Sequence, residues 1–265
     1  MKETSCPKTL SICVLASGSK GNCIYIKSNK TAILFDAGLS GIQLEHRMKQ
    51  RDICPKSLDA IVVSHEHSDH ITGVGVLSRR YGLPVHINPA TQKAIPEQLG
   101  RIGKLRSFEC GVCFRINELV IRPFSVSHDA AQPAGFTVES GGMKIGIATD
   151  LGFAPNMVKQ HLKNCDLLVL EANHDYAMLE QGPYPWPVKQ RIKSRTGHLS
   201  NETARDLLME VMGERLKHVI LAHLSEANNT PEKALSVVSE PAAGRCLNFS
   251  VAHQHLCGEL IRIRP

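Results

Sequence analysis

The chain has 265 residues, of which 42% are hydrophobic and 21% are charged. This composition is typical of a globular protein and excludes a disordered chain, a collagen and a disulfide-stapled mini-protein. The formal net charge of +6 is a weak indication of anionic partners such as nucleic acid. No apolar run approaches about 18 residues, and the polar segment from Met1 to Leu10 lacks the apolar core of a signal peptide. We therefore expect a cytoplasmic protein with no membrane contact and with its nine cysteines reduced.

Strands and helices alternate along most of the chain. Runs rich in β-branched and apolar residues predict strands at Leu10–Ala16, Cys23–Lys27, Thr31–Phe35, Leu58–Val63, Leu83–Ile87, Leu119–Val126, Gly135–Glu139, Met143–Ala148, Asp166–Leu170, His218–Ala222, Leu247–Ala252 and Glu259–Ile263. Capping residues and apolar spacing predict helices from Ser40 to about Gln50 and at about Ile71–Tyr81, Pro89–Leu99, Pro155–Lys163, Asn201–Met212 and Pro231–Ser239. This order predicts a layered α/β sandwich, with residues 1–265 forming one domain.

A histidine-rich run follows the predicted strand Leu58–Val63. It reads His65-Glu66-His67-Ser68-Asp69-His70 and places three imidazoles and an aspartate within six residues. Neutral imidazole and carboxylate are the ligands that borderline divalent metals prefer. In an extended loop His65 and His67 point the same way and can share one ion, while Asp69 and His70 can reach a second. The run predicts a metal site, because ligands this close together would repel and desolvate one another without a cation.

Three isolated polar residues follow other predicted strands. His128 comes after Leu119–Val126, Asp150 after Met143–Ala148, and His223 after His218–Ala222. Each alone is more typical of a capping or surface residue. Together with the histidine run they indicate one site built at strand ends.

In these motifs the chain resembles the metallo-β-lactamase superfamily. Asp36 lies in Leu34-Phe35-Asp36-Ala37-Gly38 and is followed in order by the histidine run, His128, Asp150 and His223. The resemblance covers essentially the whole chain and implies a four-layer αββα sandwich with two metal ions at the edge of the sheets. It implies that His65, His67 and His128 hold the first ion, that Asp69, His70 and His223 hold the second, and that Asp150 bridges both. It also implies that Asp36 orients ligands, as buried carboxylates beside metal sites commonly do.

Several branches of the superfamily differ from this chain. True β-lactamases of this fold have a cysteine where Asp150 stands, and flavodiiron proteins have a glutamate where His67 stands. Glyoxalase II relatives usually add a helical C-terminal domain, which we do not expect after His223. β-CASP nucleases carry a large inserted domain, for which the interval from Asp150 to His223 is too short.

A glutamate and a histidine outside the ligand set resemble those of the RNase Z phosphodiesterases. Glu171 ends a predicted strand, and His198 lies just before the helix Asn201–Met212. In the resembled enzymes the glutamate orients a histidine that protonates the leaving oxygen, a step that a poor alkoxide leaving group requires. The alternative is that His198 only caps the helix and Glu171 is unrelated to it. The resemblance adds both residues to Asp69 as the catalytic set.

Four further segments look like the YycJ family, also called WalJ, of bacterial metallo-β-lactamase-fold proteins. The matching segments are Ser17–Cys23, Glu171–Asp175, Gly182–Pro187 and His223–Ser225 with the following Asn228–Thr230. This resemblance implies a 5′-to-3′ exonuclease acting on DNA, in which the metals activate a water for attack on phosphorus.

Substrate contacts are expected in two places. The loop Ser17–Asn22 is predicted to be a tight hairpin turn whose backbone could hold a terminal phosphate, with Ser19 and Asn22 as contacts. The proline-rich segment Gln181–Pro187 is predicted to be an ordered loop that leads into a basic helix at Lys189–Arg195. Trp186, Lys189 and Arg191 could form a phosphate track with a stacking aromatic, although such charges are more often simply solvated.

The sequence leaves several alternatives open. A lactone or thioester hydrolase could use the same metal site, and a metal-bearing sensor or DNA-binding protein could carry it without turnover. The ligands suit zinc or manganese, and iron is also compatible with them. DNA is the expected partner, and the oligomeric state is not predicted.

Overall fold

Two seven-stranded sheets face each other in the computed structural model, which describes residues 8–264. The first sheet contains β1 (Leu10–Ala16), β2 (Cys23–Lys27), β3 (Ala32–Phe35), β4 (Ala60–Val62), β5 (Val85–Ile87), β6 (Leu105–Ser107) and β14 (Ile261–Ile263). The second contains β7 (Phe114–Ile116), β8 (Leu119–Ser125), β9 (Ala134–Ser140), β10 (Met143–Ala148), β11 (Leu167–Glu171), β12 (His218–Ala222) and β13 (Asn248–Val251).

Nine α-helices lie within the described residues and flank the sheets. They are α1 (Gly41–Lys49), α2 (Ser68–Ile71), α3 (Val74–Tyr81), α4 (Pro89–Ala94), α5 (Asn156–Leu162), α6 (Tyr176–Gln181), α7 (Trp186–Lys193), α8 (Asn201–Val211) and α9 (Pro231–Val238). One buried apolar cluster joins the two sheets, and two others join each sheet to its own helices. The αββα sandwich expected from the sequence is therefore confirmed. The single domain over residues 1–265 stays a prediction, and its two ends lie outside the described residues.

Each sheet is antiparallel in one half and parallel in the other. In the first sheet β14, β1, β2 and β3 pair antiparallel, whereas β3 to β6 run parallel. In the second sheet β7 to β10 pair antiparallel, whereas β10 to β13 run parallel. The carboxyl ends of parallel strands meet at one edge, so polar residues just after these strands are brought together there.

Most predicted elements are present, and the differences have local causes. The helix expected from Ile71 to Tyr81 is α3, which begins at Val74, whereas the histidine run expected to be a loop and a turn contains the short helix α2. Gly73 lies between the two helices. A Cβ at Gly73 would lie 2.4 Å from the carbonyl oxygen of Leu39, so the backbone here packs tightly against a neighbouring loop. The basic helix begins at Trp186 rather than Lys189, because Pro187 stands at the second helical position, where no N–H donor is needed.

Besides α2, three elements were not predicted from the sequence. The short strands β6 and β7 lie at sheet edges and are only three residues long, which is too short for a periodic pattern. Helix α6 begins after Asp175, whose carboxylate accepts a hydrogen bond from the backbone N–H of Met178 at 2.8 Å. Within residues 8–264 no helix has the length and apolar character needed to cross a membrane. The segment from Met1 to Leu10, in which no signal peptide was expected, lies mostly outside the described residues.

One carboxylate joins the edges of the two sheets. Glu118, in the turn between β7 and β8, accepts hydrogen bonds from Ser28 Oγ at 2.5 Å and Thr31 Oγ1 at 2.6 Å, beyond the end of β2. It also accepts from the backbone N–H of Lys30 at 3.0 Å. Burial opposes ionisation, but these hydrogen bonds outweigh it and lower the pKa of Glu118 to about 2.

Replacing Glu118 with glutamine should destabilise the fold by about 1–2 kcal/mol, because hydrogen bonds to a charged acceptor become hydrogen bonds to a neutral one. The ionised form is favoured by folding, so the difference should be full above the ordinary pKa of 4.5 and shrink as the pH falls toward 2. Urea unfolding of both proteins at several pH values measures it. Glu109→Gln is the control at an exposed position, and equal losses in both variants would contradict the proposed tie between the sheets.

Candidate metal centre

Strand ends at the sheet edge supply the polar residues of the site. Asp36 follows β3, Asp150 follows β10 and His223 follows β12, and all three have left-handed backbone with φ of 58°, 57° and 56°. Such values are uncommon outside glycine and persist only where the surrounding structure enforces them. The chain therefore turns sharply at each strand end and directs these three side chains into one buried place.

His65 and His67 of the histidine run form a triad with His128. Nε2 of His65 lies 3.1 Å from Nδ1 of His67. One ring nitrogen from each of His65, His67 and His128 falls within 4.8 Å of the others. His65 and His128 are buried, while His67 is half-buried. This triad has the spacing and chemistry of a three-histidine metal site.

A second triad lies beside the first and consists of Asp69, His70 and His223, whose ligand atoms also fall within 4.8 Å. Helix α2 carries the first two of these residues on its single turn. Asp150 stands between the triads, with Oδ2 3.4 Å from Nε2 of His70 and Oδ1 3.3 Å from Nε2 of His223. Its Oδ1 is also 4.0 Å from Nε2 of His128. The aspartate therefore contacts histidines of both triads.

Hydrogen bonds donated by Nδ1 orient three of these imidazoles. Asp36 Oδ2 accepts from Nδ1 of His70 at 2.8 Å, and Glu171 Oε1 accepts from Nδ1 of His223 at 3.0 Å. The carbonyl oxygen of Gly197 accepts from Nδ1 of His128 at 3.2 Å. Because these oxygens accept, a proton resides on each Nδ1, and Nε2 is the nitrogen left to face the cluster.

Ser64 extends the same arrangement to His65. Its hydroxyl donates to Asp36 Oδ2 at 2.8 Å and lies 2.9 Å from Nδ1 of His65, so it accepts the proton of that ring. Its backbone N–H also donates to Asp36 Oδ1 at 2.8 Å. Asp36 was expected from the sequence to orient ligands, and the structure places it against both Ser64 and His70. Ser64 itself was missed, and its position directly before the histidine run is the only sequence signal for it.

Glu171 and His198 lie together at the edge of the cluster. Glu171 is fully buried, and its Oε1 accepts from Nδ1 of His198 at 2.7 Å as well as from His223. Its Oε2 accepts from the backbone N–H groups of Leu151 and Leu199, both at 3.1 Å. His198 keeps Nε2 free to face the site. The sequence indicated the pair Glu171 and His198, but not that the same carboxylate also holds His223.

The carboxylates of the cluster attract positive charge. Burial opposes protonation of His223, yet Asp150, Asp69 and Glu171 outweigh it and raise its pKa to about 10. Burial opposes protonation of His70 as well, and the carboxylates of Asp150 and Asp36 raise its pKa well above the ordinary value. His65 behaves oppositely, since burial and the neighbouring His70 hold its pKa well below the ordinary value. The buried acids thus require nearby cations.

A divalent cation fits this donor set. Among the described residues, Asp150 Oδ2 and His223 Nε2 are buried and have no hydrogen-bond partner, although both point into the cluster. Buried polar atoms are rarely left unpaired, because each costs about 1–3 kcal/mol. Imidazole nitrogen and carboxylate oxygen at these positions would each gain a ligand bond from a metal ion, which explains why they are unpaired without one.

The loop Ser17–Asn22 packs against the centre and connects β1 to β2 as predicted. Asn22 is buried, and its Nδ2 lies 3.1 Å from Asp69 Oδ2 and 3.1 Å from Nε2 of His70. Ser17 Oγ accepts from the backbone N–H of His223 at 2.7 Å. Ser19 is exposed at the tip of the loop. These contacts make Asn22 and Ser17 positioning residues for the ligands, and a substrate contact of Ser19 and Asn22 stays a prediction.

Backbone donors of this loop are largely engaged within the protein. The N–H of Gly18 donates to Asn22 Oδ1, that of Lys20 to Gln254 Oε1, and that of Gly21 to the carbonyl of Gly18. Few donors are therefore left for the terminal phosphate that the sequence suggested.

The basic helix α7 lies on the other side of the centre. Trp186 is 63% exposed, with Nζ of Lys193 5.1 Å from its ring centroid. Lys189 is buried, and its Nζ donates to the carbonyl oxygen of Glu180 at 2.6 Å. Arg191 pairs with Asp129, whose Oδ1 lies 3.3 Å from Nε2 of His128. The contacts of Lys189 are structural, Trp186 is exposed, and Arg191 is connected to His128 through Asp129. Substrate binding by all three stays a prediction.

The fold and this histidine–aspartate cluster define a metal-dependent hydrolase of the αββα type. A family model described as "Beta-lactamase superfamily domain" matches residues 31–223. The solved metallo-β-lactamase fold protein YhfI from Bacillus subtilis superposes with a TM-score of 0.75 at 16% identity, over 97% of this chain and 100% of that one.

Curated relatives give a finer assignment. The chain is 40% identical over 229 residues to "Exodeoxyribonuclease YycJ" of Bacillus anthracis, covering 86% of this chain and 87% of the relative. It is also 40% identical over 226 residues to "Exodeoxyribonuclease WalJ" of Streptococcus pneumoniae, covering 83% of this chain and 84% of that one. The chain therefore belongs to the metallo-β-lactamase superfamily and, within it, to the YycJ/WalJ family.

Replacing Asp36 with asparagine should lower metal affinity about 10- to 100-fold, the usual loss when the partner of a metal-binding histidine is changed. Asparagine tolerates the left-handed backbone, but its amide N–H₂ would face Nδ1 of His70 and move the ring proton to Nε2, the nitrogen that should bind metal. Titration with a metal indicator measures the affinity. Asp59→Asn is the control, since Asp59 accepts from the backbone of Ala32 far from the cluster; unchanged affinity in both variants would contradict this role of Asp36.

Proposed function

We propose that this protein is a 5′-to-3′ DNA exonuclease that hydrolyses phosphodiesters with two divalent metal ions. The Glu171–His198 pair beside the metal cluster carries the proposal. Hydrolysis of a thioester requires no acid of this kind, because a thiolate is a much better leaving group than a sugar alkoxide. A lactone also releases an alkoxide, so the lactonase alternative is separated by the choice of substrate rather than by this pair. The names of the relatives at 40% identity support DNA as the substrate.

The proposed ligand set follows the two triads. One ion would be held by His65, His67 and His128, and a second by Asp69, His70 and His223. Asp150 would bridge them, because its two oxygens face histidines of both triads. When bound, divalent ions of this type supply a nucleophilic water at neutral pH and neutralise charge on phosphoryl oxygens.

The protein's own groups position the reaction. Glu171 holds His198 by its Nδ1 proton, which leaves Nε2 to carry a proton toward the leaving oxygen. Asn22 fixes Asp69 on the opposite side, so that the catalytic set Asp69, Glu171 and His198 is oriented from both edges of the site.

Zinc or manganese suits the proposed ligands best, and iron would also bind to them. A DNA substrate and the free cysteines of the described residues both favour a cytoplasmic location. Direct substrate contacts are proposed for the exposed residues Ser19, Trp186 and Arg191. Asn22 and Lys189 are buried, and we propose that they act in substrate binding by fixing the loop Ser17–Asn22 and helix α7.

Metal-loaded protein should release nucleotides from the 5′ end of a DNA strand, while a 3′-end label persists on shortening fragments. Chelator should abolish this activity. Asp150→Asn should remove at least one ion by elemental analysis and nearly all turnover, because a bridging carboxylate serves both ions. Asp52→Asn is a matched control, since Asp52 also has left-handed backbone (φ 53°) and lies outside the cluster. Hydrolysis of a simple lactone with no action on DNA would instead support the lactonase alternative.

His198→Ala should leave the metal content unchanged, because His198 is outside the proposed ligand set. Turnover of DNA should fall about 10²- to 10⁴-fold, the usual contribution of a positioned proton donor. The loss on bis(p-nitrophenyl) phosphate should be much smaller, since nitrophenolate leaves with little protonation. Glu171→Gln should also reduce turnover of DNA more than turnover of bis(p-nitrophenyl) phosphate. It should weaken metal binding as well, because Glu171 holds His223.

The two substrates and the metal content together separate an acid from a ligand. If His198 were a ligand, its removal would lower metal content and reduce activity on both substrates alike. Equal losses on DNA and on bis(p-nitrophenyl) phosphate would therefore refute the acid assignment.

A further inference from the structure

We propose that Phe153 and Arg195 form a binding subsite for single-stranded DNA, in which the ring stacks on an unpaired base and the guanidinium contacts a phosphate. This inference rests on the proposed nuclease function and names a contact for that substrate. Phe153 is 40% exposed, and Cζ of Arg195 lies 4.3 Å from its ring centroid. One face of the ring is therefore covered by a cation, and the side chain still presents apolar surface to solvent.

Both residues belong to segments that carry the chemistry. Phe153 follows Asp150 by three residues, and Arg195 precedes His198 by three residues. Three residues of extended chain span at most about 10 Å, so the backbone of Phe153 lies within that distance of Asp150, and the backbone of Arg195 within that distance of His198.

The two segments are also fixed to each other. Ser127 Oγ donates to the carbonyl oxygen of Arg195 at 2.8 Å, and the N–H of Gly152 donates to the carbonyl of Ser127 at 2.9 Å. Ser127 directly precedes the ligand residue His128. The pair is thus held in register with the centre rather than placed on a free loop.

Charge pairing singles out Arg195 among the cations of this region. Lys193 pairs with Glu180, Arg191 pairs with Asp129, and Lys189 donates to a backbone carbonyl. Arg195 is exposed and, among residues 8–264, has no carboxylate partner. Its charge is therefore free for a phosphate, whereas a nucleotide would have to compete with Asp129 for Arg191.

The pair combines the two features of sequence-tolerant single-strand binding. Aromatic rings stack on any base, because every base has a π face, and a guanidinium supplies both charge and a second planar surface. We infer that the subsite binds the strand by stacking and charge, without reading sequence.

Phe153→Ala and Arg195→Gln are the test variants, with Val112→Ala and Arg106→Gln as controls at exposed positions on the strand-β6 side. The expected result is a KM for a labelled single-stranded oligonucleotide raised about tenfold in each test variant. Turnover of bis(p-nitrophenyl) phosphate should stay near the wild-type rate, since that substrate has no neighbouring base. Phe153→Trp should retain the wild-type KM, and Phe153→Leu, which keeps apolar packing without a stacking ring, should not.

Salt dependence isolates the phosphate contact. For a hydrolysis-resistant phosphorothioate strand, we expect the plot of log binding constant against log salt concentration to be shallower by about 0.7 in Arg195→Gln. This is the change expected when one phosphate contact of a single strand is lost. Arg106→Gln should leave the slope unchanged.

Two outcomes would overturn the inference, and they differ in what they leave standing. If the wild-type protein degrades DNA but the test variants match their controls in KM and slope, the subsite is refuted and the nuclease proposal is untouched. If the wild-type protein neither binds nor degrades DNA, both proposals fail.

Discussion

The centre depends on where each imidazole donates its Nδ1 proton. A buried histidine binds a metal through Nε2 only when Nδ1 is protonated and the ring is held in plane with its acceptor. Here Asp36, Gly197 and Glu171 fix three rings in that state. Ser64 fixes a fourth ring, because its hydroxyl donates to Asp36 and accepts from Nδ1 of His65. Four rings thus present Nε2 to the cluster, which in turn leaves His223 Nε2 and Asp150 Oδ2 unpaired. The oxygens that accept from Nδ1 therefore determine how the imidazole rings are oriented in the cluster.

Glu171 couples metal binding to proton transfer. Its Oε1 is shared by His223, a proposed ligand, and His198, the proposed acid, while its Oε2 anchors the backbone after Asp150 and before helix α8. Burial opposes its charge, but the two histidines lower its pKa to about 2. A carboxylate with this many partners costs little to keep ionised. It therefore fixes the position of His198 relative to His223.

Sequence reasoning could group the residues of the candidate centre because its histidines and aspartates form a short, ordered motif. The run from His65 to His70 and the residues after β8, β10 and β12 could be assigned from residue type and order alone, and so could most strands. The left-handed backbone at Asp36 could not, since it depends on packing between loops that are distant in sequence. Nor could the carbonyl of Gly197, because any residue type supplies a carbonyl and only the fold aims it at His128.

The left-handed backbone at Asp36 and the position of the Gly197 carbonyl both depend on close contacts between backbone segments. A Cβ at Gly38 would lie 1.6 Å from the carbonyl oxygen of Asp69, and one at Gly152 would lie 2.5 Å from the backbone nitrogen of Gly197. The loops that carry Asp36, Asp69, Asp150 and His198 therefore touch main chain to main chain, with glycine as the only residue that fits at these points. Such contacts leave no compressible side chain between the segments. An added methyl group would move a ligand loop while every chemically active side chain is still present, so the site is encoded by its glycines as well as by its histidines.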